Sequence, residues 1–259
     1  MDLGIAGRKA IVCASSRGLG KACAEALARE GVAVTVNARN EAGLLATVQA
    51  IEATGGRATA VVADIDTEAG RAKLVAACPD ADILVNNNAG PPPGKLEDWD
   101  HATWLKALES NMLAPILQIR ALVPGMRARK FGRIVNITSA AVKSPIEVLG
   151  LSNGARAGLT GFVAGISRKT VINNVTINGL LPGPFNTDRV RGPVAQVEAD
   201  RRGITVDQLL AERAKLNPAG RFGDPEEFGQ ACVFLCGAKS GFITGQNILL
   251  DGGAFPGTL

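Results

Sequence analysis

Lys9-Ala10-Ile11-Val12-Cys13-Ala14-Ser15-Ser16-Arg17-Gly18-Leu19-Gly20 carries the chain from a short apolar run, through a turn of small residues, into an alanine-rich helix. Gly31 stands where that helix should stop, as a glycine just past a helix end does, and residues 32–37 read as a second strand. The small residues of the turn let backbone N–H groups and the helix N-terminus approach a pyrophosphate. Gly18 and Gly20 supply the space, with Ser16, Arg17 and Leu19 around them, and Ala14 stands where a third glycine is expected. Alone, the turn is equally a plain tight strand-to-helix connection. Its place at the head of a strand–helix–strand unit selects the dinucleotide reading.

Outward from this unit the pattern alternates. Residues 58–62, 82–86, 133–138, 175–181 and 246–250 read as further strands. Residues 41–54, 101–128, 152–171 and 225–238 read as helices, with one more between the third and fourth strands. Such alternation predicts an α/β domain whose parallel sheet is covered on both faces. The last helix is well signalled: Asp224 as N-cap, Pro225 next, then Glu226 and Glu227 facing the dipole. Residues 183–220 interrupt the beat with a long polar stretch, which is expected to be a mobile loop or lid over the substrate. All 259 residues are expected to form a single domain.

Composition narrows the function classes. Lys and Arg number 28 against 24 Asp and Glu, a net charge of +4 too scattered for a nucleic-acid partner. No apolar run is long enough for a membrane span. The first nine residues lack the charged-then-apolar pattern of a secretion signal, which predicts a cytoplasmic protein. The five cysteines have no metal-ligand spacing, so no metal is expected, and Cys232 and Cys236 read as helix packing. There is no tyrosine at all.

Cofactor choice is legible at the end of the second strand. A site for NAD places an acid there against the ribose hydroxyls. This chain has Asn37-Ala38-Arg39 instead, and Arg17 stands in the first turn. Two guanidiniums converging on one spot suit a 2′-phosphate, so NADP(H) is expected. The alternative is that both are solvated surface arginines.

Taken together, these features resemble the short-chain dehydrogenase/reductase family, in particular its 3-oxoacyl-(acyl-carrier-protein) reductase-like members. The resemblance runs from Arg8 to Gly253. The first turn is similar to the family's TGxxxGxG, with Cys13 and Ala14 replacing Thr and the first Gly. Asp64 matches the adenine-contacting Asp. Asn86-Asn87-Asn88-Ala89-Gly90 resembles the NNAG segment, in a register open by one residue. Asn111 sits at the active-site helix asparagine and Ser139 at the catalytic serine. Pro182-Gly183-Pro184-Phe185-Asn186-Thr187 resembles the segment that lies against the nicotinamide. Ile243-Thr244-Gly245-Gln246 and Asp251-Gly252-Gly253 match the C-terminal signature. The resemblance implies a Rossmann-type doubly wound sheet of seven parallel strands in the order 3-2-1-4-5-6-7. It implies cofactor contacts from Ala14, Ser16, Arg17, Gly18, Leu19, Gly20, Arg39, Asp64, Asn87, Ala89, Gly90, Pro182, Gly183, Phe185 and Thr187.

The departure lies at the centre of the chemistry. The family's Tyr-x-x-x-Lys pair begins 13 residues beyond the catalytic serine; here that count gives Ser152 and Arg156. The neighbouring register, Leu151 and Ala155, has no polar logic. A phenol with pKa near 10 is readily tuned, whereas a serine hydroxyl is a far weaker acid. Losing a matched general acid typically costs on the order of 10²–10⁴ in rate. Arg156 keeps a positive charge that could hold the nicotinamide ribose. His101 and Lys143 are the other titratable groups nearby in sequence; a surface or capping role is expected for His101, and Lys143 is not expected to serve as the substitute acid. The leading expectation is an NADP(H)-dependent oxidoreductase acting on a small carbonyl or alcohol, with Asn111, Ser139, Ser152 and Arg156 as its catalytic set. The other reading is a dinucleotide-binding protein without redox turnover, a sensor or a subunit of a hetero-oligomer. Small residues along residues 152–171 (Ala155, Ala157, Gly158, Gly161, Ala164, Gly165) point to a homodimer or homotetramer, or to close packing on the chain's own sheet.

Overall fold

A computed structural model describes residues 2–258. Seven strands, β1 (Lys9–Val12), β2 (Ala33–Ala38), β3 (Arg57–Val62), β4 (Ile83–Asn86), β5 (Gly132–Ile137), β6 (Val175–Pro182) and β7 (Asn247–Leu250), form one sheet. Its order is β3-β2-β1-β4-β5-β6-β7, with every neighbouring pair parallel. This is the topology expected from the sequence, with strand ends displaced by one or two residues. Between β1 and β4 the chain reverses its direction of travel across the sheet. In open α/β sheets that switch point opens a crevice at the carboxyl ends of the strands.

Successive residues of a strand face opposite sides, and both sides are apolar. On one, Val12, Val34, Val36, Val85, Val135 and Leu180 pack against α1 (Gly18–Arg29), α2 (Glu41–Ala53) and α9 (Pro225–Cys236) through Leu27, Leu44, Ile51, Phe228 and Val233. On the other, Ile11, Leu84, Ile134 and Ile177 meet α3 (Glu68–Ala77), α5 (Ala114–Ala128) and α6 (Gly150–Thr170) through Leu74, Ile119, Leu122, Met126, Leu159 and Val163. Gly229 lets α9 lie directly on the α1 backbone, since a Cβ there would sit 2.7 Å from the Ala22 carbonyl oxygen. The five cysteines are buried and free, and Cys23, Cys232 and Cys236 belong to this packing.

Two segments differ from the sequence-based expectation. Residues 101–128 are not one helix: α4 (His101–Leu108) and α5 are joined by a single π-helical turn, Glu109–Leu113. One extra residue per turn is invisible to a 3.6-residue periodicity, and such turns are frequent at functional sites. Residues 183–220 carry two helices, α7 (Pro193–Arg202) and α8 (Val206–Leu216). They close around a small core of Ala195, Ala199 and Leu209 and are tied by Arg191–Asp207 and Arg202–Glu212 ion pairs at 2.7 Å. Along α6, Gly150, Gly154 and Gly158 receive Trp99, Trp104 and Met112 of the same chain, whereas Gly161 and Gly165 have nothing within 4 Å. Among the described residues no helix is long and apolar enough to cross a membrane.

Candidate active site

The turn after β1 is fastened from several sides. The Ser15 amide donates to the Asn37 carbonyl and the Asn37 amide to Ser15 Oγ, while the Ser15 hydroxyl donates to the Val12 carbonyl at 2.8 Å and its own carbonyl accepts from Thr47 Oγ1. Ala14 is held at φ +46°, and Gly18 at φ +58°. An L-residue is disfavoured in that region by contact of its Cβ with the following carbonyl, so Ala14 adopts the glycine-like conformation without being glycine. Gly20 cannot carry a side chain: a Cβ would run into the Ala14 carbonyl oxygen and lie 2.8 Å from Asn87 Nδ2. Helix α1 has no side-chain cap at Arg17, whereas Asn40 and Thr67 cap α2 and α3. Its first amides therefore look out over the cradle made by Gly18 and Gly20. Leu19 packs back against the core.

Arg17 and Arg39 flank this cradle and are both exposed. Ser16 packs at the N-terminus of α2, its Cβ 3.3 Å from where one on Gly43 would sit. Arg39 reaches Asp64 at 4.0 Å, both half-exposed, a pair of small energetic weight. Asp64 also accepts from the Asp66 amide, which closes the bend after β3.

The three asparagines after β4 divide their work. Asn86, the last residue of the strand, is buried, donates to Asn136 Oδ1 and accepts from Gln118. Asn87 turns to the first turn and donates to the Ala14 carbonyl at 3.3 Å. Asn88 turns away, donating to Asp66 Oδ1 and to the Ser110 carbonyl while its Oδ1 accepts from the Ala89 amide. The π turn brings Asn111 to the same place. Its Nδ2 donates to the Ala89 carbonyl at 3.4 Å, and its buried Oδ1 has no partner. Asn86, Asn87, Asn88, Ser110, Asn111 and Arg156, with Ile65, Pro115, Ile137 and Leu159 between them, line a cavity of about 10 Å³, the lower limit for one water molecule.

At the end of β5, Ser139 accepts from the Ala141 amide at 3.1 Å through Oγ, which leaves its hydroxyl proton free to donate. Ser152 and Arg156 are both buried on the first turns of α6. Arg156 turns inward: Nη1 donates to the carbonyls of Ile137 and Thr138 at 2.9 and 2.8 Å, and Nε donates to Ser152 Oγ at 3.2 Å. Burial, and secondarily the charge of Arg189, pull its pKa down to about 10, so it is cationic at neutral pH. The structure thus joins Ser152 to Arg156, and Arg156 to the strand end that leads into Ser139. His101 is exposed at the start of α4, and Lys143 lies 5.9 Å from the Phe255 ring centroid.

The segment after β6 crosses to the first turn, with the Thr187 methyl 3.7 Å from where a Cβ on Gly18 would be. Pro182 ends β6, and the Gly183 amide donates to the Leu250 carbonyl at 2.8 Å. Phe185, expected at the cofactor, instead has its ring buried edge-on against Phe228 at 5.3 Å, because Gly223 leaves room for it. It anchors the segment from behind. Sequence reasoning missed Arg189, whose guanidinium lies over Gly90. Nothing in its position two residues past Thr187 signals that reach.

The family model described as enoyl-(acyl carrier protein) reductase matches residues 13–254. The chain is 32% identical over 255 residues to dehydrogenase/reductase SDR family member 4 of Oryctolagus cuniculus, covering 96% of this chain and 94% of that protein. It is 31% identical over 257 residues to the 3-oxoacyl-[acyl-carrier-protein] reductase of Vibrio harveyi, covering 98% and 99%. A solved structure of L-sorbose reductase from Gluconobacter frateurii, complexed with NADPH and L-sorbose, superposes with a TM-score of 0.93 at 29% identity, covering 99% and 100%. The chain belongs to the short-chain dehydrogenase/reductase family.

Proposed function

We propose that this protein is an NADP(H)-dependent oxidoreductase that interconverts a small carbonyl compound and its alcohol, with Ser152 and Arg156 in place of the family's tyrosine and lysine. The observation that carries the cofactor part is the cradle. The uncapped N-terminus of α1 faces a turn in which Gly20 tolerates no Cβ, and two exposed arginines flank it. The residues fit a dinucleotide. Gly18, Leu19 and Gly20 would present amides to its pyrophosphate, Arg17 and Arg39 would grip the 2′-phosphate, and Asp64 would meet the adenine. Asn87, Ala89, Gly90, Pro182, Gly183 and Thr187 would line the rest. The L-sorbose reductase of similar fold is described as an NADPH complex, which supports the same choice.

When bound, the nicotinamide supplies or accepts a hydride; the chain's own residues handle the oxygen and its proton. Ser139 Oγ, occupied as an acceptor by the Ala141 amide, directs its proton toward a substrate oxygen. Ser152 Oγ accepts from the Arg156 guanidinium, which favours the deprotonated form of the hydroxyl and makes it a better acid. That help is partial, because serine starts far above the phenol range. Asn111, with its unpartnered Oδ1, lines the small cavity beside Arg156. The second reading, binding without turnover, is favoured by one fact, the complete absence of tyrosine.

We further propose a cytoplasmic homodimer or homotetramer. Five free thiols suit a reducing compartment, and the open face of α6 at Gly161 and Gly165 leaves room for a second copy. Fluorescence titration with NADPH and NADH tests the cofactor reading. NADPH should bind more tightly, and Arg39→Ala should remove about tenfold or more of that preference, the worth of one charge-assisted phosphate contact. Equal affinities would refute the arginine clamp. Turnover measured beside binding across ketones and alcohols separates the enzyme from the silent binder.

A further inference from the structure

Two guanidiniums meet at Gly90. The place a Cβ would take on that residue lies 2.9 and 3.2 Å from the terminal nitrogens of Arg189 and 3.5 Å from Nη2 of Arg156. Arg156 spends Nε and Nη1 on Ser152, Ile137 and Thr138, so Nη2 is the nitrogen left to face this point. Among the described residues, neither arginine has a carboxylate within ion-pair distance. Asp66, on the far side of Asn88 and Ser110, has both oxygens engaged by them at 2.7 and 2.6 Å, and Asp188, next to Arg189 in the chain, pairs with neither arginine. The other polar groups around Arg156 are neutral amides and hydroxyls.

Like charges placed together, one of them buried, cost free energy unless something negative joins them. We infer that Arg189 and Nη2 of Arg156 form a two-pronged receptor for a carboxylate carried by the substrate, so that the protein acts on small oxo acids and the matching hydroxy acids. This rests on the oxidoreductase reading above and sharpens it. The placement is suitable: the guanidinium that offers Nη2 also holds the carbonyl of Thr138, the residue before Ser139. The pyrophosphate has its own receptor in the amides of α1. Forked guanidiniums match carboxylate geometry, and the exposed Arg189 arm can open to admit the ligand.

The probes are 2-oxobutanoate and 3-oxobutanoate, each against its methyl ester, titrated by calorimetry into the full chain saturated with NADPH. The acid of at least one pair should bind about tenfold more tightly than its ester, the scale of a charge-assisted contact. Arg189→Gln should bring that ratio below about threefold, and Arg189→Lys should restore part of it. The NADPH dissociation constant should stay within about twofold throughout. Equal binding of acids and esters by the wild type overturns the inference. So does an Arg189→Gln protein that loses NADPH affinity while keeping its acid preference, because the anion would then be the cofactor's diphosphate. If the wild type binds no NADPH, the cofactor reading fails, and the same acid-against-ester comparison on the cofactor-free protein still decides the carboxylate site.

Discussion

Restoring the family pair, Ser152→Tyr with Arg156→Lys, probes the unusual centre of the site most directly. Arg156 holds three acceptors: two strand-end carbonyls at 2.9 and 2.8 Å and Ser152 Oγ at 3.2 Å. A lysine ammonium concentrates its donors at one point and should keep one or two of these. Each lost charge-assisted bond is worth about 1.5–3 kcal/mol, so Arg156→Lys alone should destabilise by roughly 2–4 kcal/mol. For a chain of this length that is a fall of ~4–8 °C in melting temperature. Ser152 is only 6% exposed, so a phenol ring there must displace the guanidinium. Ser152→Tyr alone should therefore gain little, and the two changes should be strongly non-additive. In the double variant, a phenol near pKa 10 replaces an alkyl hydroxyl, and ketone reduction should rise ~10-fold or more, within the 10²–10⁴ span of general-acid effects. NADPH affinity should be unchanged. The assay is stopped-flow loss of NADPH absorbance on a simple ketone, run below the lowered melting point with folding checked by circular dichroism. A brisk wild type that slows in the double variant would refute the account of Ser152 as a poor substitute acid. A folded, NADPH-binding, inert double variant would favour binding without turnover.

Three further outcomes follow from the geometry. Ala14→Gly relieves a left-handed alanine at φ +46°; the relief of ~1–2 kcal/mol less the backbone entropy of glycine leaves a gain of about 0.5–1 kcal/mol, visible as a small rise in melting temperature. Gly20→Ala should do the reverse, costing roughly 1–3 kcal/mol by overpacking against Ala14 and weakening NADPH binding. The α7–α8 hairpin, held by surface ion pairs and a three-residue core, should exchange its amides faster than β4–β6, more so with added salt, and slow on NADPH addition; uniformly slow exchange would remove the lid reading. Burial pushes the Cys13 thiol up to about 12, so at pH 8 it stays protonated, and iodoacetamide should label it only on unfolding.

The strand order was legible because parallel strands buried on both faces read as short apolar runs, and their alternation with helices leaves few topologies. The breaks in legibility each have a physical cause. One π turn shifts phase by a single residue, so α4 and α5 look continuous, yet that turn is what aims Asn111 inward. The helices of residues 183–220 bury only a small apolar patch, Ala195, Ala199 and Leu209 with Ile204 and Val206 beside them, too little for a periodic stripe to stand out. The Thr205–Gln208 capping box was nevertheless in plain view as a helix start. Phe185 sits in a segment resembling a cofactor contact, but a ring shows no preference for cofactor over core until Gly223 is seen to make room behind it. Arg189 was illegible for another reason: convergence of two charges from distant elements leaves no trace in spacing.

The manner in which Arg156 is held bears on whether the site is a relic. A centre that had lost its tyrosine and lysine by drift would leave the donors of a buried guanidinium orphaned on all sides, each costing about 1–3 kcal/mol. Instead the substitutions fit one another. Serine is small enough to let the guanidinium fold inward, its Oγ accepts Nε, and Nη1 takes the two carbonyls at the end of β5. Lysine could not span these three acceptors, and a tyrosine at residue 152 would block the path. Ser152 and Arg156 therefore behave as one unit, and the surplus charge that remains is confined to Nη2, facing Arg189 across Gly90. A fold that satisfies Nε and both protons of Nη1 and leaves Nη2 aimed at a second cation has kept a place for a negative charge.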